Sequence, residues 1–184
     1  MNEVQKAIAE RNSCRDFVGI PLTDVQVKAI VDAALAAPSA MNRQPWHVSI
    51  VTNKAFVDEM DSEGMNVLAA AADKSGYERI QSRGGKLFYN APCMVVVSND
   101  GSGYASIDCG ILCQNIALAA HSLGLGSVIV GMVSVPLSGE RGDEFKEKLS
   151  LPEGYEVCIA VLVGAANKGK APHELDYNKV SYLG

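Results

Sequence analysis

The strongest constraint on the fold of this chain lies between Ala91 and Gly131. Cys93-Met94-Val95-Val96-Val97 is a continuous apolar run, as found in a strand buried on both faces. A turn cluster, Asn99 to Gly103, follows it. The next segment, about Ala105 to Leu123, has helical periodicity and is apolar nearly all round, through Ile107, Ile111, Gln114, Leu118 and their neighbours. Such a helix is expected to be buried in the core. Gly124 is placed to end it as a C′ residue, and Ser127 to Gly131 reads as another short strand. A buried strand, a buried helix and a second strand in succession call for a sheet with helices on both faces.

The rest of the pattern agrees. Residues 2–11 place Val4, Ala7, Ile8 and Arg11 at helical spacing. Thr23 and Gln26 match a capping box, and Leu22 with Val27 matches a hydrophobic staple. Val27, Ile30, Val31, Ala34 and Leu35 then form one apolar face, and Pro38 is expected to end that helix at Ala37. Trp46 to Val51 reads as a strand with Trp46, Val48 and Ile50 on one face. Residues 54–61 read as a short helix with Phe56, Val57 and Met60 inward. Residues 62–85 read as helix and then mobile loop. A polar helix is expected near Glu140–Leu149 and a last strand at Tyr155–Val163. Residues 164–184 form a polar, Lys- and Pro-containing extension of a single 184-residue domain.

Several classes of function are excluded. A net charge of −5 argues against nucleic-acid binding. No apolar stretch approaches the length of a membrane span, and no basic amphipathic run suits a membrane surface. The polar start, Met1 to Glu10, lacks the apolar region of a signal peptide, so the five cysteines read as free thiols in a reducing cytoplasm. Cys109 and Cys113, one helical turn apart, read as buried small residues and not as a metal or redox pair. His47, His121 and His173 are scattered without metal-ligand spacing, so no metal is expected, and His121 reads as a helix-surface or core-edge residue. Leu123-Gly124-Leu125-Gly126-Ser127 comes at a helix end before a strand, the reverse of a dinucleotide-binding turn. There is no Walker A lysine motif and no nucleophile elbow.

One stretch carries positive chemistry. Arg11-Asn12-Ser13-Cys14-Arg15-Asp16-Phe17 brackets a polar triplet with two arginines, which suits a phosphate. Ala37-Pro38-Ser39-Ala40-Met41-Asn42-Arg43-Gln44-Pro45-Trp46 adds amides able to donate to and accept from a polar ring. A phosphate at one end and a heteroaromatic ring at the other describe a nucleotide-like cofactor. R-x-S-x-R-x-F followed by A-P-S-A-x-N-x-Q-P-W resembles the signature of the FMN-dependent nitroreductase family.

That resemblance implies an α+β fold with a mostly antiparallel central sheet flanked by helices, and a C-terminal tail reaching the partner subunit of a homodimer. It implies non-covalent FMN, reduced by NADH or NADPH, and a ping-pong transfer to a small acceptor such as a nitroaromatic or quinone. Enone reduction, dehalogenation, flavin destruction and a non-catalytic FMN-binding module are the alternatives on the same scaffold. Carried over by position, Arg11, Ser13 and Arg15 match residues that meet the phosphate, the ribityl chain and the pyrimidine edge. Asn12 stands beside them, where the family often has a basic residue. Pro38, Ser39, Ala40, Asn42 and Gln44 match the loop that covers the flavin from the partner subunit. Val128, Ile129, Val130 and Gly131 match the segment under the flavin whose backbone N–H groups approach N5. Lys168, Lys170 and His173 fall where basic residues hold the phosphate. His173 replaces an expected arginine, so a pH-dependent grip is expected there. The cofactor carries the redox chemistry, and no catalytic side chain is assigned.

Overall fold

The computed structural model describes residues 1–169 and 171–184. Four strands, β1 (Trp46–Val51), β2 (Cys93–Asn99), β3 (Gly126–Val130) and β4 (Glu156–Gly164), form one sheet in the order β1-β2-β4-β3. Every neighbouring pair is antiparallel. Alternation along β2 sends Met94 and Val96 to one core, and Cys93, Val95 and Val97 to the other. β4 divides in the same way, with Ala160 and Leu162 against Val161 and Val163. Strands buried on both faces lose the polar alternation of a surface sheet, which is why β2 reads as an unbroken apolar run.

One face is covered by α3 (Lys54–Ala70), α6 (Ser134–Leu137) and α7 (Gly142–Lys148), through Val57, Met60 and Phe145. The other is covered by α2 (Asp24–Leu35) and α5 (Ala105–Ser122), through Ile30, Ala34, Leu112 and Ile116. The remaining helices are α1 (Glu3–Glu10) and α4 (Ser75–Gln81). The capping box at Thr23 is present, with its hydroxyl accepting from the Gln26 N–H and Gln26 returning a bond to the Thr23 N–H. No described helix is long and apolar enough to cross a membrane.

Four expectations need correction. The helix beginning at Lys54 does not stop at 61 but runs to Ala70, and α4 occupies part of what reads as loop. Gly64 is an interior helical position where a Cβ would come within 2.9 Å of Leu87 Cδ2. Close packing by Leu87 accounts for the glycine. The helix expected at Glu140–Leu149 is the shorter α7, preceded by α6, which takes in Pro136. Finally, α5 is not buried all round. Its inward stripe is Cys109, Leu112, Cys113, Ile116 and Ala120, whereas Ile107 is 61% and Ile111 is 37% exposed. Val4 and Ile8 of α1 and Leu35 of α2 are also exposed, so α1 buries no residue against its own chain.

Candidate functional site

The Arg11–Phe17 segment is set by its neighbours on both sides. α1 is held at its start by a capping box between Asn2 and Gln5, and ends with Arg11 as C-cap, whose N–H donates to the Ala7 carbonyl at 3.0 Å. The chain then runs extended. Ser13 bridges Ser127 of β3, with the Cys14 N–H donating to the Ser127 carbonyl at 2.9 Å. Phe17 bridges Ala166, and the Asn167 N–H donates to the Asp16 carbonyl at 2.9 Å. Cys14 and Phe17 are thereby buried. Arg11, Asn12 and Ser13 remain half-buried, and Arg15 is exposed. Gly126 permits this crossing, because a Cβ there would stand 2.8 Å from Cys14 Cβ.

Beside this segment lies a cavity of about 210 Å³, lined by Arg11, Asn12, His121 and Lys168 over the backbone of Gly124–Ser127. Arg11, Arg15 and Lys168 have no carboxylate within 4.0 Å among the described residues. The negative end of α5 points here, but its final carbonyls are tied back. The Leu125 N–H donates to Ala120 at 2.8 Å and the Gly124 N–H to His121 at 3.0 Å, with Gly124 at φ +72°. Two fixed cations, an amide and exposed backbone are chemistry suited to a phosphate monoester. β3 is an edge strand, and Val128, Ile129, Val130 and Gly131 continue from the Ser13 crossing along that edge. Val128 and Val130 are buried, so these residues offer backbone, not side chains, on that side.

The second half of the signature lies elsewhere. Pro38 to Gln44 joins α2 to β1, with a short 3₁₀ turn at Ala40–Asn42. Met41, Asn42 and Gln44 all take left-handed conformations, at φ 52°, 54° and 49°. Such residues cost of order 1–3 kcal/mol each and cluster where a loop has a task. Ser39 Oγ accepts from the Gln44 N–H at 2.9 Å, and Gln44 Nε2 donates to Asn42 Oδ1 at 3.3 Å. The Ala40 N–H donates to both carboxylate oxygens of Asp108, at 3.1 and 3.3 Å. Asp108 is buried in the first turn of α5, where a negative charge suits the helix dipole. Sequence reasoning missed it, although an acid in the first turn of an apolar helix was the signal.

The structure therefore brings Arg11, Asn12 and Lys168 to one cavity, with Ser13 paired to Ser127 beside it and Val128–Gly131 continuing the chain from that crossing. It does not bring Pro38, Ser39, Ala40, Asn42 or Gln44 to them within one chain. The loop is anchored at Asp108 and the cavity is walled by His121, on one helix. At 1.5 Å per residue these positions lie ~20 Å apart along α5. His173 is exposed and lines no described cavity, and Lys170 lies outside the described residues. His121, which the sequence offered only as a surface or core-edge residue, is in the cavity wall.

Four of the five thiols are buried. Burial pushes the Cys93 thiol up to about 11 and those of Cys109 and Cys113 up to about 12, and burial also raises Cys14. Thiolate is the reactive form. Iodoacetamide at about pH 8 should therefore alkylate the folded protein at Cys158 alone, the one half-buried thiol, and all five after unfolding. Mass spectrometry of intact protein reads the difference, and rapid native labelling of Cys109 or Cys113 would contradict the buried assignment.

Comparison with known proteins accords with this geometry. The crystal structure of a nitroreductase with bound FMN from Desulfitobacterium hafniense DCB-2 is 50% identical over the whole of both chains, with a TM-score of 0.96. A second nitroreductase with bound FMN, from Bacteroides fragilis NCTC 9343, is 26% identical over the whole of both chains, with a TM-score of 0.90. An NADPH-flavin oxidoreductase of Vibrio harveyi is 32% identical over 89% of this chain and 66% of its own length. The model of the nitroreductase family matches residues 8–165. With that match and the antiparallel sheet that carries its two signature segments, the chain belongs to the nitroreductase family.

Proposed function

We propose that the protein is an NAD(P)H-dependent FMN oxidoreductase that works as a homodimer, each flavin lying between two chains. One observation carries this reading. The phosphate-suited cavity and the strained, amide-bearing loop stand at opposite ends of α5, so one chain presents both halves of a site without closing either. A two-fold pairing across α5 would bring the loop of one chain to the Arg11–Arg15 segment of its partner, and would generate two equivalent sites. The exposed Ile107, Ile111, Val4 and Ile8 give that pairing an apolar surface, as expected for an obligate interface.

The residues present fit FMN. Arg11 and Lys168 would hold the phosphate, together with Lys170, which lies outside the described residues, and Ser13 and Asn12 would bond the polar chain. Val128–Gly131 would offer its backbone to the ring. Arg15, unpaired by any described carboxylate, would meet negative charge on the ring's pyrimidine side and favour the reduced form. The loop of the partner chain would supply the Asn42 and Gln44 amides and keep water out. When bound, FMN would supply hydride chemistry between NADH or NADPH and a small acceptor such as a nitroaromatic or quinone. Donor and acceptor would occupy the site in turn, giving ping-pong kinetics, and no side chain of this chain is needed as acid or base for the hydride step.

The test is direct. FMN-loaded protein is examined by light scattering, then mixed anaerobically with NADH or NADPH and a panel of acceptors. A dimer whose yellow colour bleaches within the mixing time and returns on adding a quinone or nitroaromatic is expected, with parallel lines in double-reciprocal plots. A monomer that binds FMN normally overturns the shared site. A yellow dimer that neither nicotinamide bleaches is a binding module, and the enzymatic reading fails.

A further inference from the structure

The cavity beside Arg11 contains one titratable group that the proposed function leaves unused. His121 lies in the last turn of α5, about one-third exposed at its side chain, with its ring in the cavity wall opposite Arg11 and Lys168. Among the described residues, the charged and titratable groups beside it are these. Glu10, at the end of α1, places Oε2 3.8 Å from His121 Nε2. Arg11 and Lys168 line the same cavity, and the buried Cys14 thiol, raised by burial, completes the set. The Glu10 carboxylate and the negative end of the α5 dipole stand at the ring, and the two cations line the space that a phosphate would enter. Resting on the FMN reading above, we infer that His121 is a further ligand of the cofactor's phosphate, donating to it from the imidazole.

The same helix end explains the need for it. An anion near a helix C-terminus is disfavoured, and here the terminal carbonyls are capped but the dipole remains. Arg11 and Lys168 offset it from two directions. His121, standing on the helix end itself, offsets it at its source. His173 is exposed and lines no described cavity of the single chain.

The experiment is an equilibrium titration of apo-protein with FMN, followed by quenching of flavin fluorescence, from about pH 5.5 to 8.5. Parent, His121→Gln and His173→Gln are compared, with riboflavin as the phosphate-free control. The phosphate monoester itself gains its second charge near pH 6, so the readout at each pH is the ratio of dissociation constants, variant over parent. For His121→Gln that ratio should be about tenfold or more with FMN at about pH 5.5. With riboflavin it should stay near one throughout. A ratio near one for FMN, or an equal loss for riboflavin, removes His121 from the phosphate and overturns the inference while leaving FMN binding intact. A tenfold ratio for His173→Gln and none for His121→Gln overturns it in favour of the tail. Parent protein that binds no FMN at all overturns both the inference and the reading it rests on.

Discussion

Replacing Arg11 with alanine is expected to weaken FMN binding by about 10- to 150-fold. Arg11 is the C-cap of α1, half-buried in the cavity wall, with no described carboxylate to share its charge. A hydrogen bond to a charged group contributes about 1.5–3 kcal/mol, and each 1.4 kcal/mol is tenfold in affinity. The guanidinium bonds nothing that holds the fold together, so the melting temperature of the apo-protein should hardly move. Riboflavin separates the charge effect from a general disturbance, since it lacks the group that Arg11 is assigned to hold. It should bind poorly to the parent and lose little further in the variant. Unchanged FMN affinity in Arg11→Ala would remove the phosphate from this cavity.

The largest stability effect is expected at Asp61, far from the cavity. Its carboxylate is 3% exposed, and Oδ1 accepts from the Leu87 and Phe88 N–H groups at 2.6 and 3.0 Å. It thereby ties α3 to the segment that enters β2. Asp61→Ala leaves two buried donors without partners, at about 1–3 kcal/mol each. Against a total stability of about 5–15 kcal/mol for a domain, that loss approaches unfolding at growth temperature. Asp61→Asn keeps an acceptor and removes the charge, so it should cost far less. Burial, the largest influence, raises the Asp61 pKa above its ordinary 3.8, against the lowering effects of its hydrogen bonds and of Lys86. A carboxyl whose pKa is raised on folding is most favourable below its unfolded value, and that advantage fades as pH rises through the folded value. Asparagine should therefore compare better with the parent at pH 7 than at pH 4. Urea unfolding at both values decides it. An alanine variant within ~0.5 kcal/mol of the parent would mean that water replaces the carboxylate.

The sequence disclosed what rests on local pattern. β1 is found where Trp46, Val48 and Ile50 alternate, β2 where the apolar run lies, and the start of α2 where the capping box stands. Both halves of the signature were legible as motifs. What it could not disclose depends on partners distant in the chain. The reason for Gly64, the close approach of Leu87, lies much later in the chain. Asp61 and Asp108 were two acids among many until their backbone donors were located. His121 needed the return of the chain at Lys168 to become part of a wall. The apolar circumference of α5 was read as burial, and half of that reading holds. A pattern of side chains records that a face is to be covered, but not whether the cover comes from the same chain.

The separation of the two signature segments along α5 has a genetic consequence. In a two-chain enzyme built on it, one site takes its arginines from the first chain and its loop from the second, and the other site does the reverse. Consider one chain impaired at Arg11 and another impaired in the loop, each unable to serve with its own kind. Paired together, they make one site with both faults and one site with neither. Two defective alleles would then restore function in the same cell, whereas two alleles damaged in the same segment would not.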